Sequence, residues 1–382
     1  MTGFYIHVPF CDKKCSYCDF YSIESVGLIE RYVDTVIREI ERRADTVPGP
    51  ITSVFFGGGT PSLLSPLQLQ RIIDTILRET RITSDAEWTM ECNPGTVSQS
   101  SLTAYRSSGI NRLSFGVQSI HADELTFLDR IHTADQAFEA VDLARRAGFD
   151  NVNVDVMFAL PNQSAEKLSA TLDQILRLEP DHVSAYSLIY EPGTPLYARM
   201  KKGLVVPESE EHDAELYALV IERLVSAGYE QYEVSNFSRN GATCRHNLTY
   251  WHGLPYVSVG PSAHGFVGDV RYWNLRSLTA WTEAVDKGEL PEANRETLTQ
   301  FDKIVELAFL TLRADGVPLS KFHRDYGIDV VAALGPQLGY WLDAEFVTLN
   351  AQTLRLTSKG YAVCDELTVK LVGAIESALL AS

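Results

Sequence analysis

The chain has 382 residues, a hydrophobic fraction of 45% and a formal net charge of −17. This length accommodates a barrel of about 250 residues together with a small second domain. The acidic charge argues against attraction to nucleic acid or anionic membranes through the overall field. No apolar stretch approaches the roughly eighteen residues that span a bilayer, and no secretory signal pattern precedes the first strand-like segment. Six cysteines in so long a chain do not form a secreted disulfide scaffold, and we expect a cytoplasmic protein in a reducing compartment.

Strand-like segments alternate with helical patterns through the first half of the chain. Strands are predicted at 4–10, 51–59, 87–94, 112–119, 152–160 and 182–190, and helices at about 28–43, 66–78, 98–108, 134–147 and 165–178. This alternation predicts right-handed βαβ units and a parallel sheet. The pattern favours an α/β fold, a partial (β/α)6 TIM-like barrel, although composition alone does not exclude an open doubly wound sheet. Polar residues and glycines follow several strands, where such barrels carry their active sites.

The second half of the chain has a different pattern. A helix is predicted at 208–227 and a strand at 229–237, and residues 238–275 are predicted to be irregular. From about residue 300, helices flank two strands joined by an Asn-Ala-Gln turn, which is typical of a winged-helix-like α+β domain. We therefore expect a barrel over 1–235, a connecting segment over 236–295 and a C-terminal domain over 296–382.

Three cysteines, Cys11, Cys15 and Cys18, follow the first predicted strand with the spacing C-x3-C-x2-C. Thiolates are soft ligands that suit iron–sulfur clusters, zinc or copper. Structural zinc sites use four ligands, whereas three cysteines on a four-iron cluster leave one iron open. Tyr17, directly before the third cysteine, favours the cluster. A chance grouping, or a zinc site completed by His7, is the alternative.

The ends of the second and third predicted strands carry candidate ligand-binding residues. Gly57–Gly59 and Thr60 follow the second strand, and glycines let the backbone approach a ligand closely. Their amides and carbonyls can bind the ammonium and carboxylate of an amino acid. Glu91 ends the third strand, where its side chain either pairs with an ammonium group or points to solvent.

These motifs resemble the radical S-adenosylmethionine superfamily. The segments YIHVPFC, FFGGGTPS, LSFGVQS, VNVDVMFALPNQ and YEVSNF are similar to its coproporphyrinogen III oxidase-like branch. The resemblance implies a 4Fe-4S cluster on the three cysteines and cleavage of S-adenosylmethionine to a 5′-deoxyadenosyl radical. It also implies S-adenosylmethionine contacts at Tyr5, Tyr17, Gly58, Gly59, Thr60, Glu91, Gln118, Arg130 and Asp155.

Two groups within this branch are the oxygen-independent oxidase and the HemW heme chaperones. The oxidase has a fourth cysteine where this chain has Phe20, and a long extension where only ten residues precede Cys11. The motif HNLTYW, beginning at His246, resembles the H-N-x-x-Y-W motif of the HemW group. The resemblance therefore favours heme binding and delivery to acceptor proteins, with membrane-associated respiratory enzymes as one candidate class.

His246 is the first candidate for the heme ligand, because imidazole is a common axial ligand of heme iron. Cys244 and His264 are weaker candidates, and His264 lies in GPSAHGF, which departs from the glycine-rich form usual in the family. The opposing hypotheses are radical decarboxylation of coproporphyrinogen III and nucleic-acid binding by the C-terminal domain. The acidic charge disfavours nucleic-acid binding.

Overall fold

A computed structural model describes residues 1–381. The strands are β1 Thr2–Val8, β2 Ile51–Gly58, β3 Ile82–Cys92, β4 Arg112–Gln118, β5 Val152–Phe158, β6 His182–Ser187, β7 Glu230–Gln231, β8 Asn236–Ser238, β9 Tyr256–Val259, β10 His264–Val267, β11 Val270–Asn274, β12 Glu292–Thr297, β13 Val317–Pro318, β14 Val347–Leu349 and β15 Thr353–Leu356. The helices are α1 Ile29–Arg43, α2 Pro66–Glu79, α3 Gln99–Ser107, α4 Ala122–Phe127, α5 Ala134–Arg146, α6 Ala165–Arg177, α7 Pro195–Lys201, α8 Glu210–Ser226, α9 Arg245–Trp251, α10 Leu278–Asp286, α11 Gln300–Leu312, α12 Leu319–Tyr326, α13 Val330–Leu334, α14 Pro336–Asp343, α15 Ser358–Tyr361 and α16 Cys364–Ala381. Within this described range, no helix is both long and apolar enough to cross a membrane.

The first six strands lie side by side in chain order, and each pairs in parallel with the next. Helices connect them, as right-handed crossovers require. The predicted partial (β/α)6 barrel is therefore confirmed. The strand predicted at 229–237 is divided into β7 and β8, which pair with each other and extend the β6 edge in antiparallel orientation.

The segment predicted to be irregular, 238–275, is ordered, and that prediction was wrong. It forms α9 and the strands β9 to β11. β9 pairs in parallel with β1, and β10, β11 and β12 continue the sheet in antiparallel order. The apolar strand residues Val257 and Val259 are fully buried, but strands this short give little periodic signal between turn residues. Most of the predicted connecting segment thus extends the main sheet, and its boundaries stay a prediction.

Two hydrophobic cores organise the chain. In the larger core, β1 contributes Phe4, Ile6 and Val8, and the apolar face of α1 packs against the sheet. Strands covered by helices read as nearly continuous apolar runs, as observed. The smaller core gathers Phe322, Trp341 and Leu371 around the antiparallel sheet β13-β15-β14. The expected small C-terminal α+β domain is therefore present.

A buried carboxylate joins α1 to the strands added at the β1 edge. Glu39 is fully buried and accepts from Arg43 Nε at 3.0 Å. It also accepts from Asn274 Nδ2 at 2.7 Å, from the Gly260 amide at 2.8 Å and from Trp281 Nε1 at 2.8 Å. Five polar groups thus satisfy each other in the interior, where an unpaired charge would be costly.

Replacing the cation of this network should destabilise the fold strongly. Arg43→Met leaves the Glu39 carboxylate without its buried partner, so we expect the free energy of unfolding to fall by about 3–5 kcal/mol. Urea denaturation followed by circular dichroism measures the change. The matched control is Arg78→Met, because Arg78 pairs with Glu41 on the surface and such pairs contribute about 0–1 kcal/mol. Equal effects of the two substitutions would contradict this account of the network.

Candidate functional site

The cysteine loop begins directly after β1 and closes on itself. The Cys11 amide donates to the Ile23 carbonyl at 3.0 Å, and the Ile23 amide donates to the Pro9 carbonyl at 2.8 Å. Cys11 is buried, Cys15 and Cys18 are half-buried, and all three thiols are free. The loop therefore presents three thiols near the carboxyl end of the first barrel strand.

The surroundings of the thiols differ from each other. Thr60 Oγ1 donates to Cys11 Sγ at 3.6 Å, and Arg130 Nη1 donates to Cys15 Sγ at 3.8 Å. Burial raises the pKa of the Cys11 thiol and raises that of Cys18 to about 11. In residues 1–381, no three His, Cys, Asp or Glu side chains converge on one position for a single metal ion. A four-iron cluster does not need such convergence, because each thiolate binds a different iron.

His7, the candidate fourth zinc ligand, is engaged elsewhere. Its Nε2 donates to the Tyr21 carbonyl at 2.8 Å, and its Nδ1 is hydrogen-bonded to the Tyr5 hydroxyl at 3.2 Å. Burial lowers the pKa of His7 to about 4. To complete a zinc site, the imidazole would have to give up one of these hydrogen bonds, so the donor set fits the cluster better than zinc.

The glycines after β2 make room for the cysteine loop. A Cβ on Gly58, whose φ is +108°, would lie 2.6 Å from the His7 ring, and one on Gly59 would lie 2.5 Å from the Phe10 carbonyl oxygen. The amides of Gly59 and Thr60 donate to carbonyls of Val8 and Phe10 at 2.8 and 2.7 Å. These glycines thus serve the packing of the loop as well as access to the adjoining cavity.

A cavity of about 550 Å³ adjoins the loop at the carboxyl ends of the strands, and we call it the barrel cavity. Nine of the residues predicted from sequence line it: Tyr17, Cys18, Gly58, Gly59, Thr60, Glu91, Gln118, Arg130 and Asp155. Cys11 and Cys15 contact this lining through Thr60 and Arg130. Tyr5 and His246 are not part of the lining. The sequence therefore identified a set of residues that the sheet register brings together around one space.

Four acidic residues line the barrel cavity, Asp19, Glu91, Asp155 and Glu191, and of these Glu91 and Asp155 lie on β3 and β5. Burial raises the pKa of Glu91 to about 8, and the negative charge of Asp155 adds to this shift. Glu91 accepts from the Gly58 amide at 3.2 Å. Burial also raises the pKa of Asp155, which accepts from Asn153 Nδ2 at 2.7 Å. When the pKa of a carboxyl group is raised by burial, a nearby cationic ligand favours its charged form. The two carboxyl groups therefore suit the ammonium and sulfonium charges of S-adenosylmethionine.

Arg130 joins the loop to the strand ends. Its Nη2 donates to Asn93 Oδ1 at 2.7 Å and to the Gly116 carbonyl at 2.6 Å, while Nη1 reaches Cys15. Close by, Gln118 has a φ of +68° where the pairing of β4 with β5 changes register. A positive φ is uncommon for a residue with a side chain, and such strain is frequent at binding sites.

Sequence reasoning missed Asn93 and Arg112 as part of this site. Asn93 connects Arg130 to Thr60, because its Nδ2 donates to Thr60 Oγ1 at 3.0 Å. Arg112 lines the cavity from the first position of β4 and is only 2% exposed. The sequence signal for Asn93 was a polar residue directly after a strand. The signal for Arg112 was a charged residue at the start of an apolar strand.

The helix with the HNLTYW motif, α9, lies beside the barrel cavity, which its Cys244 and Asn247 line. His246 itself is 1% exposed and stacks on Phe55 with ring centroids 5.1 Å apart. Its Nδ1 is hydrogen-bonded to Ser53 Oγ at 3.0 Å, and its Nε2 to the Tyr250 hydroxyl at 2.7 Å. Burial lowers the pKa of His246 to about 3. Both ring nitrogens are therefore already engaged in the protein interior.

Tyr5 belongs to the same aromatic group as His246. The two rings stack with centroids 6.2 Å apart, and the Tyr5 hydroxyl is hydrogen-bonded to His7. Tyr5 thus contacts the motif helix and the start of the cysteine loop, whereas Tyr17 faces the cavity.

Comparison with known proteins identifies the class. The radical SAM superfamily matches residues 5–175, and the HemN C-terminal domain matches residues 298–363. The fold is similar to that of coproporphyrinogen III oxidase (HemN) from Escherichia coli, with a TM-score of 0.82, 22% identity, and coverage of 97% of this chain and 89% of that chain. The chain is thus built as a radical SAM protein.

Similarity to named relatives identifies the family. Heme chaperone HemW of Bacillus subtilis (strain 168) is 37% identical over 332 residues, which cover 86% of this chain and 87% of that protein. Heme chaperone HemW of Mycobacterium tuberculosis (strain ATCC 25618 / H37Rv) is 34% identical over 377 residues, covering 97% and 95%. The chain belongs to the HemW family.

Removing one loop thiol should prevent cluster assembly. We expect Cys18→Ala, reconstituted anaerobically with iron and sulfide, to lose most of the visible absorbance that a 4Fe-4S cluster gives the parent protein. Iron and sulfide analysis of the desalted protein checks the result. The matched control, Cys364→Ala, removes a buried thiol of the C-terminal domain and should retain the cluster. Full cluster content in Cys18→Ala would contradict the assignment.

Glu91 should make stability depend on pH. Its pKa rises from 4.5 to about 8 in the folded protein, so the folded state binds more protons than the unfolded state across this interval. Stability therefore falls as pH rises through it. We expect Glu91→Gln to stabilise the ligand-free protein at pH 8.5 by about 1–2 kcal/mol, to give little gain near pH 4.5, and to weaken S-adenosylmethionine binding.

Urea denaturation at both pH values measures this effect, and calorimetry measures binding. The exposed Glu289→Gln should change neither quantity. A Glu91→Gln variant that is destabilised at pH 8.5, or that binds S-adenosylmethionine as the parent does, would refute the role of the carboxyl group.

Proposed function

We propose that this protein is a heme chaperone that carries a 4Fe-4S cluster and S-adenosylmethionine, binds heme and delivers it to acceptor proteins. The observation that carries the proposal is the similarity to heme chaperones, 37% identity to the Bacillus subtilis protein over 86% of this chain. Phe20, which stands where the oxidase has a further cysteine, supports it. Its side chain is 67% exposed and lines the barrel cavity, so that position offers no thiolate.

Cys11, Cys15 and Cys18 are the residues that would hold the cluster, and the barrel cavity beside them would hold S-adenosylmethionine. The chemistry that a bound cluster would supply is an electron for the sulfonium group. Glu91 and Asp155 would pair with the positive charges of the ligand, and the backbone after β2 would bind its amino acid end. Arg130 connects Cys15 to the ends of β3 and β4, and this connection would keep the loop close to the bound ligand.

The decarboxylating oxidase is the second candidate, and its fold is shared along nearly the whole chain. The fold alone does not assign that activity, because one fold serves several functions. Cytoplasmic location, the nature of the heme acceptor and the absence of nucleic-acid binding stay expectations from sequence.

A heme titration tests the proposal. Hemin added to the cluster-loaded protein should give a Soret band that saturates, and mixing with an apo-form of a heme protein should move the band to that acceptor. In parallel, anaerobic incubation with coproporphyrinogen III, reductant and S-adenosylmethionine should yield no protoporphyrinogen. A protein that loads its cluster but gives no saturable Soret band is not a heme chaperone. Formation of protoporphyrinogen would establish the oxidase instead.

A further inference from the structure

A second cavity, of about 540 Å³, lies between the strands β9 to β11 and the helices α11 and α12 of the C-terminal domain. We call it the edge cavity. Its size is that of ordinary cofactor sites, which measure about 300–1,000 Å³. The cysteine loop does not contribute to its lining, so nothing described for the barrel cavity accounts for it.

The walls of the edge cavity combine apolar rings with cations. Tyr256, Phe266 and Tyr326 supply aromatic surface, and Arg271, Lys303 and Lys321 supply positive charge. Heme has the matching chemistry, since it is a flat apolar ring with two propionate groups at one edge. The three cations share the lining with two acids, Asp269 and Glu306.

The cations are paired with acids on the surface, and those pairs are weak. Lys303 pairs with Asp269 at 2.6 Å, Arg271 with Glu306 at 2.5 Å, and Lys321 with Asp325 at 3.1 Å. Exposed ion pairs contribute about 0–1 kcal/mol, so a propionate can replace the carboxylate partner of Lys303 or Lys321 at low cost. Arg271 is less exposed and donates to both oxygens of Glu306, so its pair is the stronger one. Asp269 and Glu306 also line the cavity and would have to turn aside.

One histidine of the edge cavity is free to bind iron. His264 has an exposed side chain on β10, and its ring stacks on Trp273 with centroids 5.9 Å apart. Among residues 1–381, no hydrogen bond to either ring nitrogen of His264 is formed. His252 also lines the cavity, but its Nε2 is bound to Asp315 at 2.9 Å.

His246, by contrast, is buried and has both ring nitrogens in hydrogen bonds. Its partner Tyr250 lines the edge cavity and packs edge-on against Tyr256, with ring centroids 4.6 Å apart. His246 therefore does not line the edge cavity itself, and it acts on the cavity through its hydrogen bond to Tyr250. This makes His246 a positioning residue for the cavity wall.

We propose that heme binds in the edge cavity with His264 as an axial ligand, and that His246 positions Tyr250 in its wall. The proposal rests on the proposed heme chaperone function and names its heme site. In this proposal, α9 separates two binding sites. Cys244 and Asn247 line the barrel cavity, and Tyr250 lines the edge cavity.

Hemin titration of cluster-loaded variants tests the site. His264→Ala should shift the Soret band and weaken binding at least tenfold, and added imidazole should restore the parent spectrum. Metal-free protoporphyrin IX, which needs no axial ligand, should bind His264→Ala and the parent equally. His246→Ala and Tyr250→Phe should keep the parent Soret position and weaken binding by similar factors. His323→Ala, a histidine of α12 that does not line the cavity, should behave as the parent.

The opposite pattern would overturn the site. If His246→Ala loses the ligand signature and regains it with imidazole, while His264→Ala keeps it, His246 is the ligand and the edge cavity is not the heme site. Unchanged cluster absorbance and circular dichroism show that each variant is folded. Absence of hemin binding by the parent protein is a different result, because it refutes the chaperone function itself.

Discussion

The arrangement of the barrel site depends on the hydrogen bonds that the guanidinium group of Arg130 donates. It reaches the Cys15 thiol, the Asn93 side chain and the Gly116 carbonyl, so it joins the loop after β1 to the ends of β3 and β4. This cation therefore fixes Cys15 relative to the strand ends that border the cavity. Gly58 and Gly59 complete the arrangement, because a Cβ on Gly58 would collide with the His7 ring and one on Gly59 with the Phe10 carbonyl oxygen.

The two cavities of the molecule differ in the charged side chains that line them. In the barrel cavity, burial raises the pKa values of Glu91 and Asp155, so a cationic ligand bound beside them would favour their charged forms. In the edge cavity, Arg271, Lys303 and Lys321 lie beside aromatic rings, and they suit an apolar ligand whose acidic groups replace the side chains of Asp269 and Glu306. The helix α9 lies against both spaces and is held at its N-terminus by Glu87, which accepts from the Arg245 amide at 3.0 Å.

Much of this arrangement could be predicted from the sequence, because motif spacing and strand ends are local properties. The cysteine loop follows from a short motif, Glu91 from its place at the end of an apolar strand, and Asp155 from the resemblance of its segment to the family. The role of Asn93 in the site was not predicted, because its hydrogen-bond partner Arg130 lies 37 positions away in the sequence. The surroundings of His246 also depend on Ser53, 193 positions away, and no local pattern shows that contact. The strands β9 to β11 were missed because they are short and are stabilised by pairing, β9 with the distant β1 and β10 and β11 with their neighbours in the sheet.

The central claim is that the three-cysteine loop and the barrel cavity together form one S-adenosylmethionine site. Electron paramagnetic resonance of the reduced, reconstituted protein, with and without S-adenosylmethionine, tests it most directly. A ligand that binds the open iron changes the electronic surroundings of the cluster, so the account predicts a shift in the g values on addition of S-adenosylmethionine. Superimposable spectra at saturating S-adenosylmethionine would contradict it.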